Sequence, residues 1–320
     1  MINGKCPRFA IYAWSVVGYN LLVILWGAYV RASGSGAGCG NHWPLCNGEV
    51  LPHSNRIETF IELTHRLMSG LSLLLIIGLV VWSFRAFPRK SPIRYAAVLT
   101  LFFVLTEALI GAVLVRAELV EGNATMSRAI VMSVHLVNTF TLMAFMTLTA
   151  WWASGKSPIR IKGQGFVIWL LGLALIGTLV LAVSGAVAAL GDTLFPSQSI
   201  AAGLSQDFSP TAHFLIRLRL LHPALALTVG SVVLIVASLT NFLRPGGWVK
   251  RSMLMVTALV VLQLGAGLLN VVLLAPIWLQ ILHLLLADLL WLALIILTAS
   301  ALEQPLNTNG IEEKGRVPLV

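Results

Sequence analysis

Seven histidines punctuate this chain of 320 residues, and four of them, His65, His135, His222 and His283, lie inside long apolar stretches. An imidazole in such a stretch either hydrogen-bonds a neighbouring element or ligates a metal, and at membrane depth it marks a functional site by default. Two neutral imidazoles on facing helices supply the two axial ligands of a six-coordinate haem iron. Pairing His65 with His135, and His222 with His283, makes one such site in each half of the chain. A structural zinc fits less well, because it needs further thiolate, imidazole or carboxylate ligands close by, and here the histidines come singly and far apart.

Glu62 stands three residues before His65, which on a helix puts both side chains on one face. Beside a reacting porphyrin such a carboxylate acts as acid or base, or stabilises a developing cation. The plainer reading is an ion pair with Arg66. Arg219 holds the matching place before His222, so the two sites are expected to do different jobs. Arg66, Arg116, Arg217 and Arg219 gather toward one end of the apolar stretches, where haem propionates need charge-assisted partners and where arginines also snorkel to an interface. Glu107 lies in mid-stretch, matched by Gln263 in the second half, and reads as structural hydrogen bonding or as part of a proton path.

The elements that must position these residues follow from composition. With 58% hydrophobic and 10% charged residues the chain is too apolar for a soluble globular protein and reads as an all-α integral membrane protein. Eight apolar runs, at 9–31, 60–86, 95–116, 129–152, 165–189, 214–243, 250–272 and 277–301, are long enough to cross a membrane as helices. β-Barrel alternation is absent, so backbone polar groups must be satisfied within those helices. The formal charge of +9 raises the question of nucleic acid, but its placement answers it. Lys5 and Arg8, then Arg85, Arg89, Lys90 and Arg94, then Lys156, Arg160 and Lys162, then Arg244, Lys250 and Arg251 occupy alternate connections. The positive-inside rule makes those connections and both termini cytoplasmic, and Trp82, Trp151, Trp152 and Trp248 mark the same interface. The N-terminus carries no cleavable signal or transit pattern, which favours a bacterial plasma membrane.

The chain also repeats itself. The second, third and fourth runs resemble the sixth, seventh and eighth; TEALIGAVLV, for example, aligns with LQLGAGLLNVV. This predicts two tandem four-helix bundles related by a pseudo-two-fold axis along the membrane normal: an N-terminal half at 1–152, a cytoplasmic linker at 153–164, a C-terminal half at 165–301 and a loose cytoplasmic tail at 302–320. All four histidines then lie at similar depth near the outer face.

The segment WGAYVRASGSGAGCGNHWPLCNGEVLP, the following ELTHR and the four repeat-matched histidines together resemble the haem A synthase family, the membrane enzymes of cytochrome oxidase assembly. The resemblance runs from the first helix to the eighth. It implies oxidation of a ring methyl of haem O to a formyl group, through a hydroxymethyl intermediate, to give haem A. It further implies that His65 and His135 bind the catalytic haem, that His222 and His283 bind a haem b that relays electrons, and that Glu62 is catalytic. The loop is then extracellular, where a disulfide can persist. Cys39 and Cys46, with six residues between them, can close a small ring over the N-terminal site. That ring is either a permanent staple or, being short and exposed, a reducible dithiol that receives electrons or helps load haem. Cys6 is expected to be cytoplasmic and unpaired. Two departures from the family pattern are His42, where an acidic residue often precedes Trp-Pro, and a fifth loop without cysteine.

The resemblance implies haem O and membrane lipid as partners, allows haem O synthase and a homo-oligomer, and leaves the electron acceptor open. Two other classes compete with it. A di-haem b electron-transfer cytochrome, such as a quinol oxidoreductase, explains the histidines but not Glu62 in one half alone. A parallel-repeat transporter predicts broken helices and polar groups at the midplane.

Overall fold

The computed structural model describes residues 6–303. Lys5 and nearly all of the expected tail fall outside the described residues. Within them the chain folds into ten helices: α1 (Pro7–Ala32), α2 (Ile57–Ala86), α3 (Pro92–Arg116), α4 (Met126–Ala153), α5 (Val167–Leu194), α6 (Ile200–Asp207), α7 (Phe214–Arg219), α8 (Leu221–Leu243), α9 (Gly247–Val272) and α10 (Ile277–Ala301). Eight spans are long and apolar enough to cross a membrane, α7 and α8 together forming one of them. Their limits match the hydropathy reading closely. The starts are chemically marked: Pro7 and Pro92 open their helices where a missing N–H matters least, and Ser91 and Thr125 cap the following turns from their side chains.

The sixth span runs from Phe214 to Leu243 as expected. Pro223 cannot donate to the carbonyl of Arg219, so the helical hydrogen bonding is interrupted at Leu220 between α7 and α8 while the Leu220 backbone stays helical. The fifth loop also contains the short helix α6, capped by Ser199, which apolar periodicity over so few residues could not announce.

α1, α2, α3 and α4 contact in a closed ring, so α2 and α4 stand diagonally across it. α5, the α7–α8 span, α9 and α10 do the same, with α8 and α10 diagonal. The two rings meet along α10, α4, α1 and α5. Trp291, Leu292 and Ile295 of α10 are buried in one apolar cluster with Phe9, Leu79, Phe140 and Met146 of the first ring, and the Trp291 indole donates to the Phe140 carbonyl at 2.7 Å. Arg31, at the outer end of α1, reinforces that seam by donating to the Ala189 carbonyl, the Thr193 hydroxyl and the Gln280 side chain.

Within the first ring, α1 and α2 are joined by a polar ladder. Tyr12, Tyr19 and Trp26 donate to the carbonyls of Leu75, Met68 and Ile61 at 2.7, 3.0 and 3.1 Å. Steps of seven residues on both antiparallel helices keep the donors on one seam. In an apolar medium each such bond replaces a hydroxyl or indole N–H that would otherwise lack a partner.

Candidate functional site

The four histidines sit on the diagonal helices of the two rings: His65 on α2, His135 on α4, His222 on α8 and His283 on α10. The rings of His222 and His283 have centroids 6.3 Å apart and are nearly perpendicular, at 86°. With metal–imidazole nitrogen bonds of about 2 Å, two rings facing across one ion have centroids about 6 Å apart, so this pair fits a shared iron. The His222 Nδ1 lies 2.9 Å from the Ser184 hydroxyl, the kind of outer bond that orients a ligating imidazole. Nδ1 atoms of His65, His135 and His283 are buried without a hydrogen-bond partner. An unpaired buried polar atom is destabilising by about 1–3 kcal/mol, so packing alone does not favour imidazoles at these positions.

Three of the imidazoles press against glycine. A Cβ on Gly27 of α1 would come within 2.8 Å of His65 Cε1, one on Gly185 of α5 within 2.9 Å of His222 Cε1, and one on Gly267 of α9 within 3.3 Å of His283 Cε1. Each ring is thus seated on the backbone of a neighbouring helix. Sequence reasoning missed these glycines, although a signal was present in the repeated Gly-Ala pairs Gly27-Ala28 and Gly185-Ala186. It also missed Arg31 and the buried Asp288 of α10.

Glu62 is buried and makes the ion pair with Arg66 that the sequence allowed. Its Oε1 accepts from Arg66 Nη2 at 2.5 Å and Nε at 3.0 Å, and its Oε2 accepts from the Cys39 amide at 2.8 Å. Arg66 then donates through Nη1 to the carbonyls of His42 and Leu45, both at 2.7 Å. One turn earlier on α2, Thr59 donates to the Gly38 carbonyl at 2.7 Å, and a Cβ on Gly38 would lie 2.3 Å from the Glu58 oxygen. Only glycine permits that approach of loop to helix. Thr59, Glu62 and Arg66 therefore clasp the cysteine loop onto the N-terminal part of α2, around His65.

Cys39 and Cys46 form a disulfide within this loop. The expectation of an exposed ring is corrected here: the two residues are 0% and 1% exposed, because the loop folds down onto Glu62 and Thr59. Cys6 is the free cysteine among the described residues.

The arginines separate into two kinds. Arg66 and Arg219 are engaged, the latter donating to Asp207 at 2.6 Å, Asp192 at 3.2 Å and Gln206 at 3.1 Å, which ties α5, α6 and α7 together. Arg116 is exposed and lines a cleft of about 310 Å³ with Asn41, His42, Trp43, Pro44 and Leu45. Arg217 is exposed and donates to the Pro210 carbonyl. Glu107 of α3 bonds Asn138 and Thr139 and faces His135, whereas Gln263 faces His283.

The chain is similar to several known proteins. A protein named protoheme IX farnesyltransferase from Thermus thermophilus is 51% identical over 308 residues, covering 96% of this chain and 51% of that protein. A heme A synthase from Bacillus licheniformis is 33% identical over 148 residues, 46% of each chain, and one from Geobacillus kaustophilus is 37% identical over 128 residues, 40% of this chain and 39% of that one. The chain thus spans about half the length of the relatives it matches. The COX15-CtaA family profile, described as cytochrome oxidase assembly protein, matches residues 10–295, from α1 to α10. A multi-pass helical protein with paired histidines on diagonal helices, matched over that whole length, belongs to the COX15-CtaA family.

Proposed function

We propose that this chain is a haem A synthase, oxidising one ring methyl of haem O to a formyl group through a hydroxymethyl intermediate. In this reading His65 and His135 hold the substrate haem, and His222 and His283 hold a haem b. The observation that carries it is the placement of four imidazoles on the diagonal helices of two closed helix rings, the second pair with centroids 6.3 Å apart. Bound haem iron supplies the redox chemistry that removal of electrons from an inert methyl carbon requires. The chain's own residues bind, orient and shield. Gly27 and Gly185 seat His65 and His222. Glu62, one helical turn from His65, is the proposed proton acceptor or charge stabiliser, and the Arg66 and Cys39 bonds hold its carboxylate in place. Arg116, exposed beside the cysteine loop, is the best placed of the four arginines to meet a propionate.

The wider setting belongs to the same reading. The two helix rings are tandem halves related by an axis along the membrane normal, both termini face the cytoplasm of a bacterium and the cysteine loop faces outward. The Thermus relative, about twice as long as the part matched here, bears the name of the farnesyl transfer that makes haem O, which supports close association of the two activities. That makes a haem O synthase the proposed donor of substrate.

The test is extraction of haem from the purified chain, with masses and amounts per chain. Haem b together with haem O, its hydroxylated form or haem A is the expected result. Two haems b and no farnesylated haem, from cells that make haem O, would favour a plain electron-transfer cytochrome instead. Glu62→Ala in a chain that keeps its haems should lose haem A output; normal output would remove Glu62 from the chemistry.

A further inference from the structure

Glu107 on α3 and Gln263 on α9 hold matching places in the repeat, each one helix away from a candidate ligand. Their surroundings differ. Glu107 Oε1 lies 3.4 Å from His135 Nδ1, a buried ring nitrogen with no hydrogen-bond partner of its own. The carboxylate is itself held: Asn138 donates to Oε2 at 2.5 Å, and the Thr139 hydroxyl donates to Oε1. Asn138 is fixed in turn by donating to the Phe103 carbonyl at 2.9 Å and accepting from the Thr106 hydroxyl at 2.8 Å. In the second half the Gln263 amide nitrogen stands 3.2 Å from His283 Nε2. There the positions matching Thr106, Asn138 and Thr139 are Leu262, Leu286 and Ala287, so the polar cradle is built once. Three polar side chains arranged to aim one carboxylate at one imidazole are not needed for helix packing, which the second half achieves with leucine and alanine.

We infer that Glu107 is the positioning residue of His135. Its Oε1 stands 3.4 Å from Nδ1, leaves Nε2 free on the far side of the ring, and places a negative charge on the Nδ1 side of that ligand. Gln263 instead brings a neutral amide to His283, on its Nε2 side rather than its Nδ1 side. A carboxylate behind a ligating imidazole raises its basicity and favours the more positive metal state. The pair therefore orders the two haem potentials, with the N-terminal one lower. This rests on the haem reading above.

The experiment is an optically followed redox titration of the full, haem-loaded chain and of two variants, with the waves assigned by His135→Ala. Glu107→Gln is expected to raise the N-terminal midpoint by at least a tenfold change in ferric preference, about 59 mV for one electron, and to leave the other midpoint in place. Gln263→Glu is expected to lower the C-terminal midpoint. A Glu107→Gln chain that holds its N-terminal haem at an unmoved potential overturns this inference and leaves the haem reading intact. A wild-type chain with no haem in that half overturns the haem reading itself. Should Glu107→Gln fail to fold, Gln263→Glu decides alone, because it adds a charge without dismantling the cradle, and an unmoved C-terminal midpoint refutes the inference.

Discussion

Gly27→Ala tests most directly whether the imidazoles are seated by backbone contact. The added methyl would stand 2.8 Å from His65 Cε1 and 3.1 Å from Nε2. Carbon atoms rest at about 3.5–4.0 Å, so the ring must retreat by roughly 0.7 Å or more. Overpacking of this kind destabilises a core by about 1–3 kcal/mol. A binding group held more than about 0.5 Å from its productive position loses much of its function. Gly111→Ala is the internal control, because it stands at the repeat position of Gly267 yet has nothing within 4 Å of its Cβ. There the alanine should be neutral, or stabilising by about 0.4–1 kcal/mol through lower unfolded-chain entropy. The assay is the thermal midpoint in detergent together with the optical spectrum of bound haem. Gly27→Ala should lower the midpoint and perturb the spectrum while Gly111→Ala does neither. Equal behaviour of the two variants would refute the argument that close contact with glycine sets the ring.

Three further outcomes follow from contacts elsewhere in the fold. Arg219→Met leaves Asp192 and Asp207 without their common partner; the pairs are only partly buried, so the loss falls below the about 3–5 kcal/mol of a fully buried pair, but limited proteolysis between residues 196 and 213 should accelerate, and unchanged cleavage would show the cluster to be idle. With Cys39 and Cys46 at 0% and 1% exposure, their disulfide should resist a water-soluble reductant in the folded chain and yield to it on unfolding. Alkylation after mild reduction of the native chain reads this directly, and ready labelling of both thiols would restore the redox-active reading. Trp26→Phe removes the donor to the Ile61 carbonyl and should destabilise by about 0.6 kcal/mol, a typical bond between membrane helices; a loss several times larger in a denaturant titration would mean the three rungs act as one unit.

Much of this fold was legible because lipid imposes one rule, long apolar helices, and that rule writes itself into composition. The eight spans, and the four histidines on alternate ones, could be read without coordinates. What escaped lies where local chemistry overrides that rule. The interrupted hydrogen bonding at Leu220 comes from one proline inside a span whose helical backbone continues. α6 is too short for periodicity to register. The burial of the disulfide depends on Gly38, a residue whose importance lies in what touches it from α2. Asp288, with both carboxylate oxygens buried and unpartnered, sits in a leucine-rich run that reads as featureless span. Glu62 and Arg66 could be paired from their spacing, yet their joint hold on the loop required knowing where residues 38–46 fold.

The two outer loops are nonetheless solved alike, with the charges exchanged. In the first half a carboxylate three residues before His65 receives Arg66 and the Cys39 amide, and Arg66 grips the loop carbonyls. In the second half the residue three before His222 is Arg219, and the carboxylates come from Asp192 near the end of α5 and Asp207 at the end of α6. Either polarity would fasten a loop over the end of a helix ring, so fastening alone does not dictate which sign stands beside the histidine. The choice does decide what is left near each proposed iron position: a carboxylate able to take a proton beside His65, and a guanidinium unable to do so beside His222. Exchanging the pair in the second half, Arg219→Glu with Asp207→Arg, should therefore preserve loop closure against proteolysis without transferring methyl oxidation to that half. Loss of closure in the double variant, with each single variant no worse, would show that the sign was fixed by folding rather than by chemistry.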